Sequence, residues 1–221
     1  MPTYTQDGRP LSITTPLGKD ILLLVGINGA EAVSQLFHFR LDVLAENKTE
    51  VPFDKLLGQK VSAAITLADE KTQRWFSGLV RRVAQGERDQ IFTTYQLEIV
   101  PPAWLFTRRT QSRIFQHVSV PEVLKKVLDG IDVSFELQGQ FEPRDFLVQY
   151  RETDFQFFSR LCEEEGFFYF FKHTSGGCRM VVANTPQSHP DMPAASALIY
   201  DAALGGTRPE DRIFQWRKEQ E

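Results

Sequence analysis

The stretch QYRETDFQFFSRLCEEEGFFYFF, residues 149–171, decides how the second half of this chain folds. It predicts a strand, a capped helix and then a second strand of high aromatic content. Thr153 fits the N-cap of the helix and Gln156 completes a capping box, since each side chain can satisfy a free backbone N–H near the other. Gly166 predicts the helix end, because glycine readily adopts the left-handed conformation that closes a helix. The stretch is therefore interpreted as a strand–helix–strand module with an aromatic core.

Three consecutive acids, Glu163, Glu164 and Glu165, lie at the carboxyl end of this predicted helix, where negative charge opposes the helix dipole. Consecutive helix positions point about 100° apart, so adjacent glutamates do not converge on one substrate as a catalytic pair. Arg160 precedes two of these acids by three and four residues and can offset part of the repulsion. We expect a basic partner in this chain or a neighbouring one. The three acids are candidate intersubunit or interdomain ion-pair residues.

Further elements on both sides extend the module into a small α+β unit. Ser119 and Glu122 predict a second capping box, followed by apolar residues at helical spacing until Gly130. VSFEL and FLVQY predict strands, and RMVVA is expected to pair with FFYFFK. These three predicted strands cover residues 133–137, 146–150 and 179–183.

The first hundred residues predict β-structure. LFHFRLDVLA alternates strictly, with Phe37, Phe39, Leu41 and Val43 on one face. Several strands in succession with little helix between them favour an antiparallel barrel or sandwich, and the pair Pro101–Pro102 stops the last of them. The four predicted strands cover residues 36–45, 60–67, 74–83 and 91–100.

These patterns predict three parts of the chain. Residues 1–105 form a β-rich domain, and residues 106–183 form a small α+β unit. Residues 184–221 contain loop and a last strand. In this last part the segment from residue 184 to 196 is expected to be loop, and RIFQWR, residues 212–217, is expected to be a strand.

The composition is that of an ordinary globular protein and disfavours several functional classes. The hydrophobic fraction is 42% and the net charge is −4, which argues against a nucleic-acid binder. Essentially all of the excess acid lies in residues 111–221, which carry a net charge of −5. The first ten residues lack the apolar core of a Sec signal peptide, and ILLLV, residues 21–25, is too short to span a bilayer. We therefore expect synthesis in the cytoplasm and no stable membrane insertion of this region.

The sequence predicts no catalytic, cofactor-binding or metal-binding residues. It contains no GxSxG, no phosphate-binding glycine loop and no CxxC or HxxxH pair. Ser77 lies in the middle of a predicted strand and is interpreted as an outward hydroxyl. The two cysteines, Cys162 and Cys178, indicate free thiols in a reducing compartment. The histidines are far apart in sequence, at His38, His117, His173 and His189.

A series of motifs resembles the VgrG family, the spike proteins of bacterial type VI secretion. LSITTPLGKDILLLVGINGAEAVSQLFHFRLDVLAENK, LLGQKVSAAI, RWFSGLV and YQLEIVPPAWLFTRRTQSRIFQHVSVPEVLKKVL follow in the family's order. VQYRETDFQFFSRLCEEEGFFYFF is similar to the family's most recognisable segment, and PEDRIFQWR also fits. The resemblance marks seven structural signature residues: Tyr150, Arg151, Glu152, Asp154, Phe155, Leu161 and Gly166.

The resemblance implies a fold like that of a phage tail baseplate hub, with an antiparallel β-barrel tube domain, a small α+β domain and the start of a second barrel. It makes residues 1–105 the β-barrel hub domain and residues 106–183 an inserted α+β domain, and it makes residues 184–221 loop and the first part of a second barrel or a linker. It also implies a homotrimer that caps the Hcp tube, carries a puncturing needle and effector or adaptor proteins, and leaves the cell through the type VI machinery. The family's neck and needle are not among these 221 residues, so the chain is expected to be a fragment or a shortened hub. The alternative is the hub of a contractile phage or phage-like tail, which the gene neighbourhood would distinguish. A hydrolase that uses Glu163–Glu165 is the third hypothesis.

Overall fold

Six antiparallel strands from the first hundred residues form one curled sheet. A computed structural model describes residues 4–67, 69–188, 197–201, 212–213 and 215–218. The strand order in this sheet is β1-β4-β5-β6-β3-β2, which confirms the predicted antiparallel β fold. The strands are β1 (Leu11–Thr14), β2 (Leu23–Ala30), β3 (His38–Glu46), β4 (Lys60–Thr66), β5 (Gln73–Arg88) and β6 (Phe92–Val100).

The two edge strands of this sheet, β1 and β2, curl toward each other, and the side chain of Gln6 joins them. The Gln6 amide oxygen accepts hydrogen bonds from the backbone N–H groups of Ile13 at 2.7 Å and Leu24 at 3.4 Å. The Gln6 amide nitrogen donates to the Ile13 carbonyl at 3.1 Å. One side chain thus supplies hydrogen bonds to two sheet edges that would otherwise lack a partner at this point.

The strict alternation of β3 determines which face of the sheet is buried. Phe37, Phe39, Leu41 and Val43 are all at most 4% exposed, as predicted, because a strand points successive side chains to opposite faces. These residues pack with their counterparts from the neighbouring strands in the core of the first sheet.

The second half of the chain contains two helices and two small sheets. Strands β10 and β11 pair antiparallel as predicted, β8 adds to β11 in parallel, and β7 and β9 form a separate antiparallel ribbon. In chain order the elements are β7 (Thr110–Val118), α1 (Val120–Val127), β8 (Val133–Glu136), β9 (Arg144–Thr153), α2 (Asp154–Glu165), β10 (Phe168–Thr174) and β11 (Gly177–Ala183). Short 3-10 turns cover Phe53–Lys55, Pro102–Arg108 and Pro186–Ser188.

Both helices begin as their sequences predict, and α2 also ends at the predicted residue, whereas α1 ends at Val127, before the predicted Gly130. The Ser119 N–H donates to the Glu122 carboxylate at 3.0 Å at the start of α1. At the start of α2, the Gln156 N–H donates to the Thr153 hydroxyl and the Thr153 N–H donates to the Gln156 side chain. Gly166 has φ 69° and its N–H bonds back to the last turn, so the left-handed helix stop is confirmed.

The second sheet packs on the first at Ser77 of β5. Ser77 is completely buried, so its interpretation as an outward hydroxyl was wrong. Its hydroxyl donates to the Thr174 carbonyl at 2.6 Å, and its backbone N–H donates to Nδ1 of His173 at 3.0 Å. The error arose because a strand position that faces outward from one sheet is buried when a second sheet covers that face.

One continuous hydrophobic core includes residues of the first sheet, both helices and the second sheet. The division into domains at residues 105/106 and 183/184 therefore stays a prediction. Near the end of the chain, β12 (Ile199–Tyr200) and β13 (Arg212–Ile213) pair in parallel. The predicted strand over residues 212–217 was too long, because residues 215–217 are not in a strand. Most of the predicted loop, from residue 189 to 196, lies outside the described residues, and so does His189. No helix in the described residues is long and apolar enough to cross a membrane.

Candidate assembly site

The β7–β9 ribbon turns one face toward α2 and the other toward solvent. The register pairs Ile114 with Val148, Phe115 with Leu147 and Arg113 with Gln149. Leu147 and Gln149 are buried, whereas Ile114 and Val148 are exposed. The ribbon thus has an inner face that carries both polar and apolar side chains and an outer face that carries large apolar ones.

The inner face holds a buried carboxylate, Asp154, the first residue of α2. Asp154 is 0% exposed, and burying an unpaired charge would be very costly. Arg113 donates to it at 2.6 Å and Gln149 at 2.9 Å, and Arg109 also donates to it. A fourth donor, Gln111, lies at 3.3 Å. The carboxylate therefore ties α2 to both strands of the ribbon and to the end of the Pro102–Arg108 turn, and it lies where the helix dipole favours negative charge.

Two of the three consecutive acids at the other end of α2 are paired within the chain. Arg144 of β9 donates to Glu164 at 2.6 Å and also to Glu165. Arg160 donates to Glu164 at 3.0 Å, as the helical spacing predicts, and to Glu152 at 2.7 Å. Partial burial acts to raise the pKa of Glu164, but the hydrogen bonds from Arg144 and Arg160 outweigh it and lower that pKa.

The third acid, Glu163, points to a different place. It lines a cavity of about 370 Å³ together with Phe155, Cys162 and Tyr169. Burial raises the pKa of the Cys162 thiol to about 12, with a smaller contribution from Glu163. The helix geometry thus separates Glu163 from its two neighbours, and the three carboxylates do not converge on one point. Their role between subunits or domains stays a prediction.

The outer face of the ribbon carries large apolar side chains in solvent. Ile114 and Tyr150 are each 65% exposed, Phe146 is 62% exposed and Val148 is 47% exposed. Because they alternate on β9 and face a paired position on β7, they form one contiguous patch. Arg151 stacks on the Tyr150 ring with its guanidinium carbon 5.2 Å from the ring centre. We call Ile114, Phe146, Val148 and Tyr150 the outer ribbon face.

One polar cluster, formed by Ser77, His173 and Glu31, was not predicted from the sequence. Nε2 of His173 lies 3.3 Å from the Glu31 carboxylate, and Nδ1 accepts from the Ser77 backbone. The histidine thus accepts from the serine's amide and not from its hydroxyl, which donates to a carbonyl, so the triad geometry of a hydrolase is not met. In the described part of the chain, no group of three or more His, Cys, Asp or Glu side chains is placed to hold a metal.

Comparison with known proteins identifies the family of this chain. The family model for the phage tail baseplate hub (GPD) matches residues 30–221. The chain belongs to the phage tail baseplate hub family. The resemblance to the VgrG proteins is confirmed as well: the chain is 34% identical to the type VI secretion system spike protein VgrG1c of Pseudomonas aeruginosa, over 99% of this chain and 30% of that protein. It is 35% identical to VgrG1a of the same organism, over 96% of this chain and 33% of that protein.

A solved structure supports the hub fold. The Escherichia coli c3393 protein, described as a type VI secretion component similar to T4 bacteriophage tail proteins, matches with a TM-score of 0.71 at 20% identity. The match covers 86% of this chain and 52% of that one. At this identity the likeness shows the fold alone. The chain spans about a third of the length of the curated relatives that it matches.

The signature residues of the hub chain lie in three kinds of environment. Leu161 is buried in the core, Phe155 packs partly buried against it, and Asp154 is the buried carboxylate of the ribbon. Glu152 pairs with Arg160, and Gly166 closes α2. Arg151 has φ 49° in the left-handed region and, with Tyr150, lies on the solvent side. The sequence pattern did not distinguish the residues that stabilise the fold from those that face outward.

Proposed function

We propose that this chain is a structural, non-enzymatic part of a type VI secretion spike. In this proposal three copies form a hub that caps the Hcp tube and carries the puncturing needle and effector or adaptor proteins. The hub assembles in the cytoplasm and leaves the cell through the type VI machinery. The family membership and the relatives' names support the spike role.

The single observation that carries the proposal is the outer ribbon face. Its four side chains are mostly in solvent in the single chain, although they include two aromatic rings of the kind that dominates interface energetics. Large contiguous apolar patches on soluble proteins usually mark contact sites. A stacked Arg–Tyr pair beside the patch adds the residue types that are enriched in interface hot spots. We infer that a neighbouring copy covers this face in the assembled hub.

The acids at the end of α2 contribute to assembly in this proposal, but less than the outer ribbon face does. Glu164 and Glu165 hold the ribbon against α2 through Arg144, so they set the position of the outer ribbon face. Glu163 is exposed and has no ion pair within the described residues. We infer that it is the acid available to a basic residue of a neighbouring subunit.

Binding to the Hcp tube provides the functional test. Purified chain is mixed with preassembled Hcp tubes and sedimented, and the expected result is chain in the pellet at far fewer copies than Hcp, because only tube ends are capped. Chain that stays in the supernatant with Hcp, but sediments with the tube protein of a phage-like tail, would instead establish the phage hub alternative. Chain that sediments with neither tube would contradict the hub role.

A further inference from the structure

A second surface, separate from the outer ribbon face, is an apolar groove of about 450 Å³ at the junction of the two sheets. Its floor is formed by four apolar side chains from three different segments of the chain. These side chains are Leu79, Pro102, Leu105 and Ile131. Leu105 is 51% exposed, so the floor is accessible from solvent. The volume lies within the range of pockets that take a ligand, about 300–1,000 Å³.

The walls of the groove are fixed by hydrogen bonds, so it is formed before any partner arrives. The Met180 N–H donates to the Asp132 carbonyl at 3.0 Å, which holds the turn after α1 against β11. The Ser77 hydroxyl donates to the Thr174 carbonyl at 2.6 Å, which holds β10 against β5. A preformed site loses less conformational entropy on binding than one that must be ordered.

The rim of the groove is basic although the whole chain is acidic, with a net charge of −4. Three cations, Lys60, Lys172 and Arg179, line it together with a single carboxylate, Asp132. Lys60 forms no ion pair with any described residue, whereas Lys172 pairs with Glu136 at 3.3 Å. Arg179 pairs with Asp132 at 2.9 Å, but both side chains are more than half exposed. Such an exposed pair is weak, so Arg179 can exchange partners at little cost.

Lys60 and Cys178 line the same groove. Burial raises the pKa of the Cys178 thiol to about 12, and the charge of Lys60 is the largest influence in the opposite direction. A ligand that places an apolar side chain on the floor would therefore also lie close to Lys60, a cation that has no ion-pair partner among the described residues. The groove therefore matches a ligand that carries an apolar group next to a negative charge.

We propose that this groove binds an extended segment of a partner protein in which a bulky apolar residue is followed by carboxylates. The apolar side chain lies on Leu79, Leu105 and Ile131, and the carboxylates contact Lys60 and Arg179. The groove is an open slot with four apolar side chains and not a long tunnel, which suits one or two side chains of a peptide. The inference goes beyond the proposed hub role and does not depend on it, because it concerns another surface.

The test uses two fluorescein-labelled peptides and fluorescence anisotropy at low salt. The first peptide is Gly-Ser-Leu-Phe-Asp-Glu-Gly-Ser, and in the second Lys-Lys replaces Asp-Glu. We expect saturable binding of the acidic peptide, at least tenfold weaker binding of the basic one, and weakening of the first by added salt, since exposed charges are screened. No saturable binding below 1 mM, or equal binding of both peptides, would overturn the proposal.

Matched variants locate the binding. Leu105→Glu is expected to weaken binding of the acidic peptide at least tenfold, and Lys60→Glu about three- to tenfold. The controls are Ile91→Glu, whose side chain is 48% exposed at the tip of the β5–β6 hairpin, and Lys19→Glu, exposed in a loop of the first sheet. If the controls weaken binding as much as the groove variants, the site is elsewhere and the proposal fails. It also fails if the chain self-associates and Leu105→Glu separates the copies, because the occupant is then a second copy.

Discussion

Asp154 shows how a single residue can decide the position of a helix. A carboxylate with no contact to water is tolerated here because four donors from β7, β9 and the preceding turn reach it. The Asp154 backbone N–H also donates to the Arg109 carbonyl at 2.9 Å. Helix start, ribbon and turn thus share one hydrogen-bonded centre, and the polar side chains on the inner face of the ribbon follow from it.

Removing this carboxylate is expected to destabilise the protein strongly. Asp154→Ala leaves Arg113 and Arg109 without their partner, and breaking a buried pair costs about 3 kcal/mol or more. We expect a value near the low end because Arg109 is half exposed and can be hydrated. Urea denaturation measures the free energy of unfolding. Asp145→Ala, a control at an 87% exposed side chain that pairs with His117, should change it by less than about 0.5 kcal/mol. Equal losses in the two variants would contradict this account.

Gly166 is the second residue whose identity the backbone requires. A Cβ at this position would meet no atom within 4 Å, so the cost of Gly166→Ala comes from its φ of 69° alone. A left-handed alanine costs about 1–2 kcal/mol, and urea denaturation should show a loss of this size. Gly166→Asn should lose less, since asparagine tolerates this conformation. An alanine variant as stable as the wild type would show that the helix stop relaxes freely.

At the scale of the element, α2 places negative charge at the end where its dipole disfavours it. The cost is offset across the helix, because Arg144 reaches Glu164 and Glu165 from β9 and Arg160 links Glu164 to Glu152. The Arg160 guanidinium also donates to the Val148 carbonyl at 3.0 Å. The acids therefore attach the helix to the strand whose opposite side forms the outer ribbon face.

This attachment predicts a specific pH dependence. The pKa of Glu164 is lower in the folded protein than its ordinary value of 4.5, so its pairing contributes stability above that value and the contribution is lost as pH falls through the lowered pKa. The difference in unfolding free energy between wild type and Arg144→Leu should be largest near neutral pH and shrink below about pH 4. In a Glu164→Gln background the pH-dependent part of this difference should be much smaller. A difference that stays constant from pH 7 to pH 3 would show that Arg144 acts through packing.

For the β7–β9 ribbon, the sequence pattern predicted one strand but not the side of it that is buried. FLVQY correctly predicted a strand, but its more apolar set, Phe146, Val148 and Tyr150, faces solvent, while Leu147 and Gln149 face inward. A pattern of period two gives the alternation and not the side that the fold buries. Strand β7 was not predicted at all, because its inner positions, such as Gln111 and Arg113, are polar to satisfy Asp154. The β7–β9 ribbon, the element most relevant to assembly, thus exposes its more apolar side chains to solvent, which is the reverse of the usual arrangement.

At the scale of the whole molecule, short-range chemistry was predictable and long-range contacts were not. Capping boxes, strand alternation and the glycine stop depend on neighbours within a few residues, and each was confirmed. The burial of Ser77 and the closing of the sheet edges by Gln6 depend on residues far away in sequence. The candidate acids were identified from sequence, but their partner Arg144 lies 20 residues from Glu164, beyond any helical spacing.

We propose that the outer ribbon face joins one subunit to the next in the assembled hub. Light scattering during size-exclusion chromatography gives the mass of the wild-type chain and of Phe146→Glu and Tyr150→Glu. Losing a hot-spot side chain costs about 2 kcal/mol or more, and burying an unpaired charge in its place adds to that cost. We therefore predict three times the chain mass of 25.3 kDa for the wild type and a single chain for both variants. The Ile91→Glu control should keep the wild-type mass. A wild type that stays a single chain at every concentration, or variants that remain trimeric, would contradict the claim.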